Sequence, residues 1–447
     1  MSRDAWSFYQ NLAAADAVPP PQDMREPVNP DLGIDDSPRS LYTSPEIHRL
    51  EMARLWPRVW QFACREEEIP EPGDIHVYEI GDMSVLVLRT ESGDIRAFQN
   101  SCTHRATKLC SGDTHLREIR CPFHGFVWSL NGALTDLPGQ WDFPQIKDGS
   151  HDLVDVKSET WGGFVFINFD LNAEPLASYL EVLPQHLAAR RFEDMYIAAK
   201  YRKVLPANWK ACIEAFIESF HVAETHSQTV EFSDDANTQY DIYGRHISRF
   251  ITPIGVPSST LTETPDDQRV LDRLFEEIVR PRVEAPKLPE GTTVRAFMLG
   301  LMRSQMADAG QDVEGISDSE LLDAIQYSVF PNMVLFRSLG FPVVYRFLPN
   351  GNDPDSATFD MYIMKYMPAG EERPFAAEQV ELGDRPFADV PELADWLRKI
   401  YDQDVGNLAL QQKGFKMPAR EGVTLSRYQE SRIRHYHQTL HSYLERS

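Results

Sequence analysis

Cys102-Thr103-His104 and Cys121-Pro122-Phe123-His124 decide how this chain is read. Each short run offers one thiolate and one imidazole from a tight turn, and sixteen residues separate His104 from Cys121. Two such turns facing each other present two Cys and two His to one inorganic site. Pro122 and Gly125 suit a strained ligand-bearing turn, since Pro presets φ and Gly reaches positive φ without penalty. Cys2His2 sets also bind Zn²⁺, but zinc turns usually pair like ligands, Cys-x2–4-Cys or His-x3–5-His. Here each turn mixes the two types.

A mixed set is the pattern of a Rieske [2Fe–2S] centre, in which two His replace two Cys on one iron and raise the reduction potential. Neutral imidazole carries no charge where thiolate carries one, so such a cluster accepts an electron more readily.

Working outward, residues 57–170 read as a small all-β domain. Ile75–Ile80, Ser84–Arg89, Ile95–Asn100 and Gly162–Phe169 have strand character, and Asn131-Gly132 marks a hairpin. Residues 1–56 form a Pro-rich, irregular arm to about Ser40 and then a helix, packing on the third domain. Ser44 caps that helix, Pro45 opens it, and Ile47, Leu50, Ala53 and Trp56 make its apolar face. Residues 171–447 are mixed. Helices are expected over 208–226, within 255–328 around an acidic, Pro-punctuated loop, and over 390–412 and 425–444. Strands are expected at Val343–Phe347 and Thr358–Met367. The fold class is α+β: an all-β domain ahead of a larger domain with an antiparallel sheet and flanking helices.

Composition narrows the function. A net charge of −24 argues against nucleic-acid binding, which needs a basic face. No apolar run is long enough to span a membrane, and no signal peptide is evident, so the expected compartment is the cytoplasm. Five cysteines in 447 residues do not make a disulfide framework. Cys64, Cys110 and Cys212 read as buried small hydrophobes. Near the Cys/His turns the charge is locally positive (Arg105, Lys108, Arg117 and Arg120 against Asp113 and Glu118), a rim that could dock an acidic electron donor.

The second constellation is Glu218, His221 and His226. Two imidazoles plus a carboxylate form the facial triad of non-haem Fe(II) oxygenases. A straight helix would put His221 and His226 about 140° apart, so the helix must end or kink between them. The carboxylate comes from elsewhere; by spacing, Asp402 and Asp404 are equal candidates.

Together these residues resemble the catalytic α subunit of the Rieske non-haem iron oxygenases, the aromatic ring-hydroxylating dioxygenases. The likeness covers nearly the whole chain. It is carried by both Cys/His turns, the run from Tyr42 to His48, the run from Ile69 to Asp74, Asn208-Trp209-Lys210 with the two histidines, Phe330-Pro331-Asn332, and Asp404 followed by Gln412-Lys413-Gly414. The resemblance selects Asp404 over Asp402. It implies Cys102 and Cys121 on one cluster iron, His104 and His124 on the other, and His221, His226 and Asp404 on a mononuclear Fe(II). It implies a trimer, α3 or α3β3 with a β subunit, in which Glu218 bridges His221 to a neighbour's His124, so that Glu218→Gln should keep both metals and lose electron transfer. It further implies O2 as co-substrate and electrons from NAD(P)H through a separate flavin reductase or ferredoxin, since no nucleotide-binding Gly motif occurs here.

The sequence departs from the family pattern at Phe126, Ala215, Glu218 and Ala409, and Thr107 and Phe123 stand where high-potential Rieske proteins carry disulfide cysteines. These changes spare all seven ligands, and the missing disulfide points to the lower Rieske range of potential. The implied activity is hydroxylation, foremost cis-dihydroxylation, of a hydrophobic aromatic or polycyclic compound. The alternatives are a monooxygenase (hydroxylation or N- or O-demethylation) and a non-catalytic electron carrier, which would leave 171–447 without a task. Pocket candidates are Phe216, Ile217, Phe220, Tyr240, Tyr243, Phe250, Met298, Met302, Val334, Phe336 and Phe341. Arg249, Arg303 and Arg337 are either surface residues or carboxylate anchors, and His435 and His437 belong to a structural helix.

Overall fold

The computed structural model describes residues 5–279, 283–308, 313–367, 370–418 and 420–445. Its β domain is a seven-stranded antiparallel sheet in the order Gln61–Arg65, Phe164–Asn168, Asp155–Trp161, Ile95–Gln99, Met83–Arg89, Asp74–Ile80, Thr114–His115. A small three-stranded sheet, Ile119–Arg120, Val127–Trp128 and Leu134–Asp136, lies beside it and includes the Asn131-Gly132 hairpin. Gly132 has φ +85°, and a Cβ there would meet the Phe98 ring at 2.5 Å. The two sheets enclose a core of Leu86, Leu88, Phe98, Phe126 and Trp128, which also takes in Cys102 and Cys121.

The larger domain is built on an eight-stranded sheet in the order Gln239–Tyr243, Ile247–Thr252, Ala324–Val329, Met333–Phe336, Val343–Asn350, Asp353–Tyr366, Met195–Leu205, Gln379–Glu381. All neighbours are antiparallel except the last pair. Side chains alternate between two buried faces, as the strand period requires. Val343, Tyr345 and Phe347 join the core under the Asp395–Phe415 and Ser431–Leu444 helices, while Val344 joins the core shared with Phe62, Phe164 and Phe166 of the β domain. Burial on both faces erases the polar alternation by which a strand is recognised. Gln239–Tyr243, Ile247–Thr252 and Ala324–Val329 are of this kind and are not among the expected strands, and the last begins inside the stretch expected to contain helices. Met195–Leu205, whose exposure does alternate, is a further strand outside the expected set.

Two other expectations need correction, and a third falls partly outside the described residues. The N-terminal arm is not irregular throughout: Ala5–Ala15 is a helix whose Tyr9 is fully buried and donates to Ser319 Oγ at 3.1 Å. Ser44 does cap Pro45–Leu50, accepting from Ile47 N at 3.3 Å, but a wider π-turn follows at Glu51–Leu55. The extra width rotates the helix, so Ala53 faces solvent and Glu51, Leu55 and Trp56 are buried. Buried Glu51 accepts from Lys210 Nζ at 2.6 Å and Trp209 Nε1 at 2.9 Å. The expected loop within 255–328 includes residues 280–282, which lie outside the described residues; around it Asp267–Leu274, Val294–Asp308 and Asp318–Leu322 form a helical cluster with its own apolar core.

Candidate functional site

The two Cys/His turns are near copies of each other. Cys102 N donates to Thr107 O at 2.8 Å and Ala106 N to Cys102 O at 2.9 Å; Cys121 N donates to Phe126 O at 2.8 Å and Gly125 N to Cys121 O at 3.1 Å. In both turns the fourth residue after Cys has positive φ, +59° at Ala106 and +74° at Gly125. The thiols are buried in one cluster, and the imidazoles of His104 and His124 approach edge to face with centroids 4.8 Å apart. Burial would raise the Cys121 pKa, but the backbone N–H groups of His124 and Phe123 bring it below the ordinary value, while burial raises that of the neighbouring Cys102. Burial and the neighbouring His124 hold His104 low, hence neutral. His104 stacks on Phe126, and its buried Nδ1 has no partner among the described residues.

This donor set fits a two-iron cluster better than zinc. One tetrahedral zinc ion brings thiolate and imidazole donors to roughly 3.4–3.8 Å of one another. Among the described residues the one group of three or more such donors within 4.8 Å of each other is a different one, His221, His226 and Asp404. In the β domain thiols pair with thiols and imidazoles with imidazoles, an arrangement with room for two metal ions. The positive rim is weaker than its sequence suggests, because Lys108 pairs with Glu79 and Arg120 with Glu118.

The segment expected to be one helix over 208–226 is two. Asn208 caps Trp209–Glu214, the chain breaks over 215–221, and His221 starts the single turn Val222–Thr225. Glu218 shapes the break: its Oε2 accepts from the backbone N–H groups of Phe220 and His221, and its Oε1 accepts from His221 Nδ1. The break removes the 140° separation. His221 Nε2 and His226 Nε2 come within 3.3 Å, and Asp404 Oδ1 stands 3.5 Å and 2.9 Å from them.

Asp404 is brought in by the Asp395–Phe415 helix, 6% exposed. Its neighbour Asp402 points away and accepts from Phe387 N at 2.7 Å and Ala388 N at 3.0 Å. Between them Gln403, which the sequence did not single out, faces His226 Nδ1 through Oε1 at 2.9 Å. Each imidazole therefore spends Nδ1 on an acceptor and turns Nε2 inward, the arrangement by which outer partners orient metal-ligating histidines. Burial opposes charge on His221, but Glu218 and Asp404 outweigh it and lift its pKa to about 10. Burial likewise opposes charge on Asp404, whose bonds from both histidines hold it below its ordinary value.

These donors open onto a cavity of about 280 Å³. Phe216, Phe250, Met298, Met302, Phe336 and Phe341 line it as anticipated; Tyr345, Tyr401, Trp396 and Gln326 line it unannounced. The other candidates do not reach it: Phe220 is 51% exposed, Ile217 and Val334 are in the core, and Tyr240 accepts from Ser219 N. Tyr243 packs edge-on to His186. None of the three arginines lines the cavity, and Arg303 alone is partly exposed. Arg249 is fully buried against Asp241, Arg337 pairs with Glu320 and Asp23, and Arg303 pairs with Asp318. His437 bonds Glu214 and His435 packs beside Gly244 O, both structural as expected. All five cysteines are free and buried. No helix among the described residues is long and apolar enough to cross a membrane.

Comparison with known proteins agrees with this layout. The ring-hydroxylating alpha subunit family (catalytic domain) matches residues 192–446, and the Rieske [2Fe-2S] domain matches residues 59–147. The chain belongs to the Rieske oxygenase α subunits. The glycine betaine monooxygenase oxygenase subunit of Chromohalobacter salexigens is 29% identical over 268 residues, 53% of this α subunit and 60% of that protein. The biphenyl 2,3-dioxygenase α subunit of Rhodococcus jostii is 30% identical over 193 residues, 42% of each chain. This α subunit thus spans from two fifths to three fifths of the length of these relatives. A solved quaternary ammonium Rieske monooxygenase shares the fold, with TM-score 0.65 and 18% identity over 93% of this chain and 97% of that one.

Proposed function

We propose that this α subunit is the terminal oxygenase of a multicomponent system and hydroxylates a hydrophobic, ring-bearing substrate in the cavity beside His221, His226 and Asp404. The observation that carries the reading is the convergence of two Nε2 atoms and one carboxylate oxygen, each imidazole oriented from behind, at the wall of an apolar cavity. His221, His226 and Asp404 would hold Fe(II); Cys102, Cys121, His104 and His124 would hold the cluster. The chemistry an iron bound there supplies is activation of O2 with electrons from NAD(P)H, delivered through a separate reductase or ferredoxin. The protein's own part is positional. Glu218 and Gln403 hold the imidazole tautomers, the break over 215–221 turns both histidines to one side, and Phe216, Phe336, Phe341 and Trp396 keep bulk water from the substrate.

We further propose a trimer in which Glu218 also reaches His124 of the partner subunit. His124 is exposed and Phe123 beside it is 59% exposed, which supports a turn that docks elsewhere. A monooxygenase is the second reading, supported by the relative acting on glycine betaine and by ring faces that would take a quaternary ammonium group. Among the described residues no Lys or Arg lines the cavity, so an anionic end would find no basic partner among them. Turnover with a matched reductase under labelled O2 decides: two labelled atoms per product mean dihydroxylation, one means monooxygenation. Failure of both aromatic and quaternary ammonium panels to take up label would defeat the proposal.

A further inference from the structure

Most polar groups on the cavity wall are committed within the protein. Gln326 donates to Phe216 O at 2.7 Å and accepts from Arg432 at 3.0 Å, Thr229 donates to His226 O, and Ser219 and Thr252 belong to a hydroxyl chain with Thr238. Tyr345 and Tyr401 are different. They come from the Val343–Asn350 strand and the Asp395–Phe415 helix, both line the cavity, and both are 2% exposed. Their phenol oxygens are hydrogen-bonded to each other and, among the described residues, to no other group.

Two phenols hold two protons, and the bond between them uses one. The second proton has no acceptor among the described residues, although buried hydroxyls rarely leave a donor unused. Burial pushes both phenols up, so both keep their protons and the pair acts as a donor. We propose that the Tyr345–Tyr401 pair is a one-donor anchor that selects substrates carrying a neutral acceptor oxygen (ketone, ether or phenolic) on a hydrophobic frame. Tyr401 lies three residues before Asp404 on one helix face, so the anchored oxygen sits at the Asp404 end of the cavity. Among the described residues no Lys or Arg lines the cavity, which favours a neutral acceptor over a carboxylate. This inference rests on the cavity being the substrate site and narrows the class of molecule it takes.

The test is calorimetric binding of 1-indanone and indane, alike in shape and differing in one carbonyl, to the full metal-loaded chain at rest. Wild type, Tyr345→Phe, Tyr401→Phe and the double variant are compared. The ratio of the two Kd values cancels the difference in hydration of the ligands themselves. The preference for 1-indanone should fall by about 3- to 10-fold in the double variant, the worth of one neutral hydrogen bond, with indane binding unchanged. Each single variant keeps one phenol proton but loses its alignment, so its ratio should lie between. An equal ratio in wild type and double variant overturns the anchor. Should the double variant fail to fold, an unchanged ratio in both single variants overturns it equally. If neither ligand binds any form, the substrate-cavity reading itself fails and the anchor with it, a result distinct from binding without preference.

Discussion

Cys102, His104, Cys121 and His124 come from two turns of one small domain, whereas His221 and Asp404 lie 183 positions apart in the chain. The turns are specified by their own backbone bonds, repeated almost atom for atom, and by positive φ at Ala106 and Gly125. The second site has no such self-contained motif. It needs a helix to break after Glu214, a carboxylate to hold the break, and the Asp395–Phe415 helix to deliver Asp404. One donor set is local, with His124 exposed; the other is assembled by packing, with His226 and Asp404 buried. A local site should tolerate damage elsewhere in the fold, and an assembled site should depend on residues that never touch metal.

Four experiments break or sharpen that contrast. The largest effect comes from removing the proposed ligands: Cys102→Ser should abolish the cluster spectrum while the second site still takes up Fe(II). Asp404→Ala should do the reverse, losing about one iron per chain and all turnover with the cluster intact. Loss of both metals in either variant would show that the sites are not independent. Next is Glu218→Gln. Both oxygens of Glu218 serve its own loop, so iron should bind about tenfold more weakly, and at saturating iron electron transfer from reduced cluster should be lost. Normal transfer at saturating iron would refute the bridging role. Gln403→Leu leaves His226 Nδ1 without its acceptor and should weaken iron binding by about 10- to 100-fold, read by chelator competition. The smallest effect belongs to the local site: Gly125→Ala meets only ordinary contacts, Pro138 at 3.5 Å, and should cost about 1–2 kcal/mol of left-handed strain in denaturant unfolding.

Legibility followed the same divide. The cluster turns, the Asn131-Gly132 hairpin and the Ser44 cap were readable because each depends on residues a few positions apart. The break between His221 and His226 could be stated as a requirement but not located, because Glu218 looks in sequence like any i, i+3 partner of His221. Asp402 and Asp404 differ only in what surrounds them, the backbone of 387–388 for one and two imidazoles for the other. The strands buried on both faces carried no period to read, and Tyr345 and Tyr401 meet only because one strand packs under one helix.

The sequence by itself determined that this chain carries a mixed Cys/His cluster site and two histidines suited to a second metal, because spacing within a turn is a covalent property. Only the tertiary structure decided how Asp404 is carried to those histidines, which arginines are held in ion pairs instead of facing substrate, and that two phenols share one wall. Those choices depend on what desolvation and packing bring within hydrogen-bond reach across hundreds of residues, and no local pattern encodes that distance.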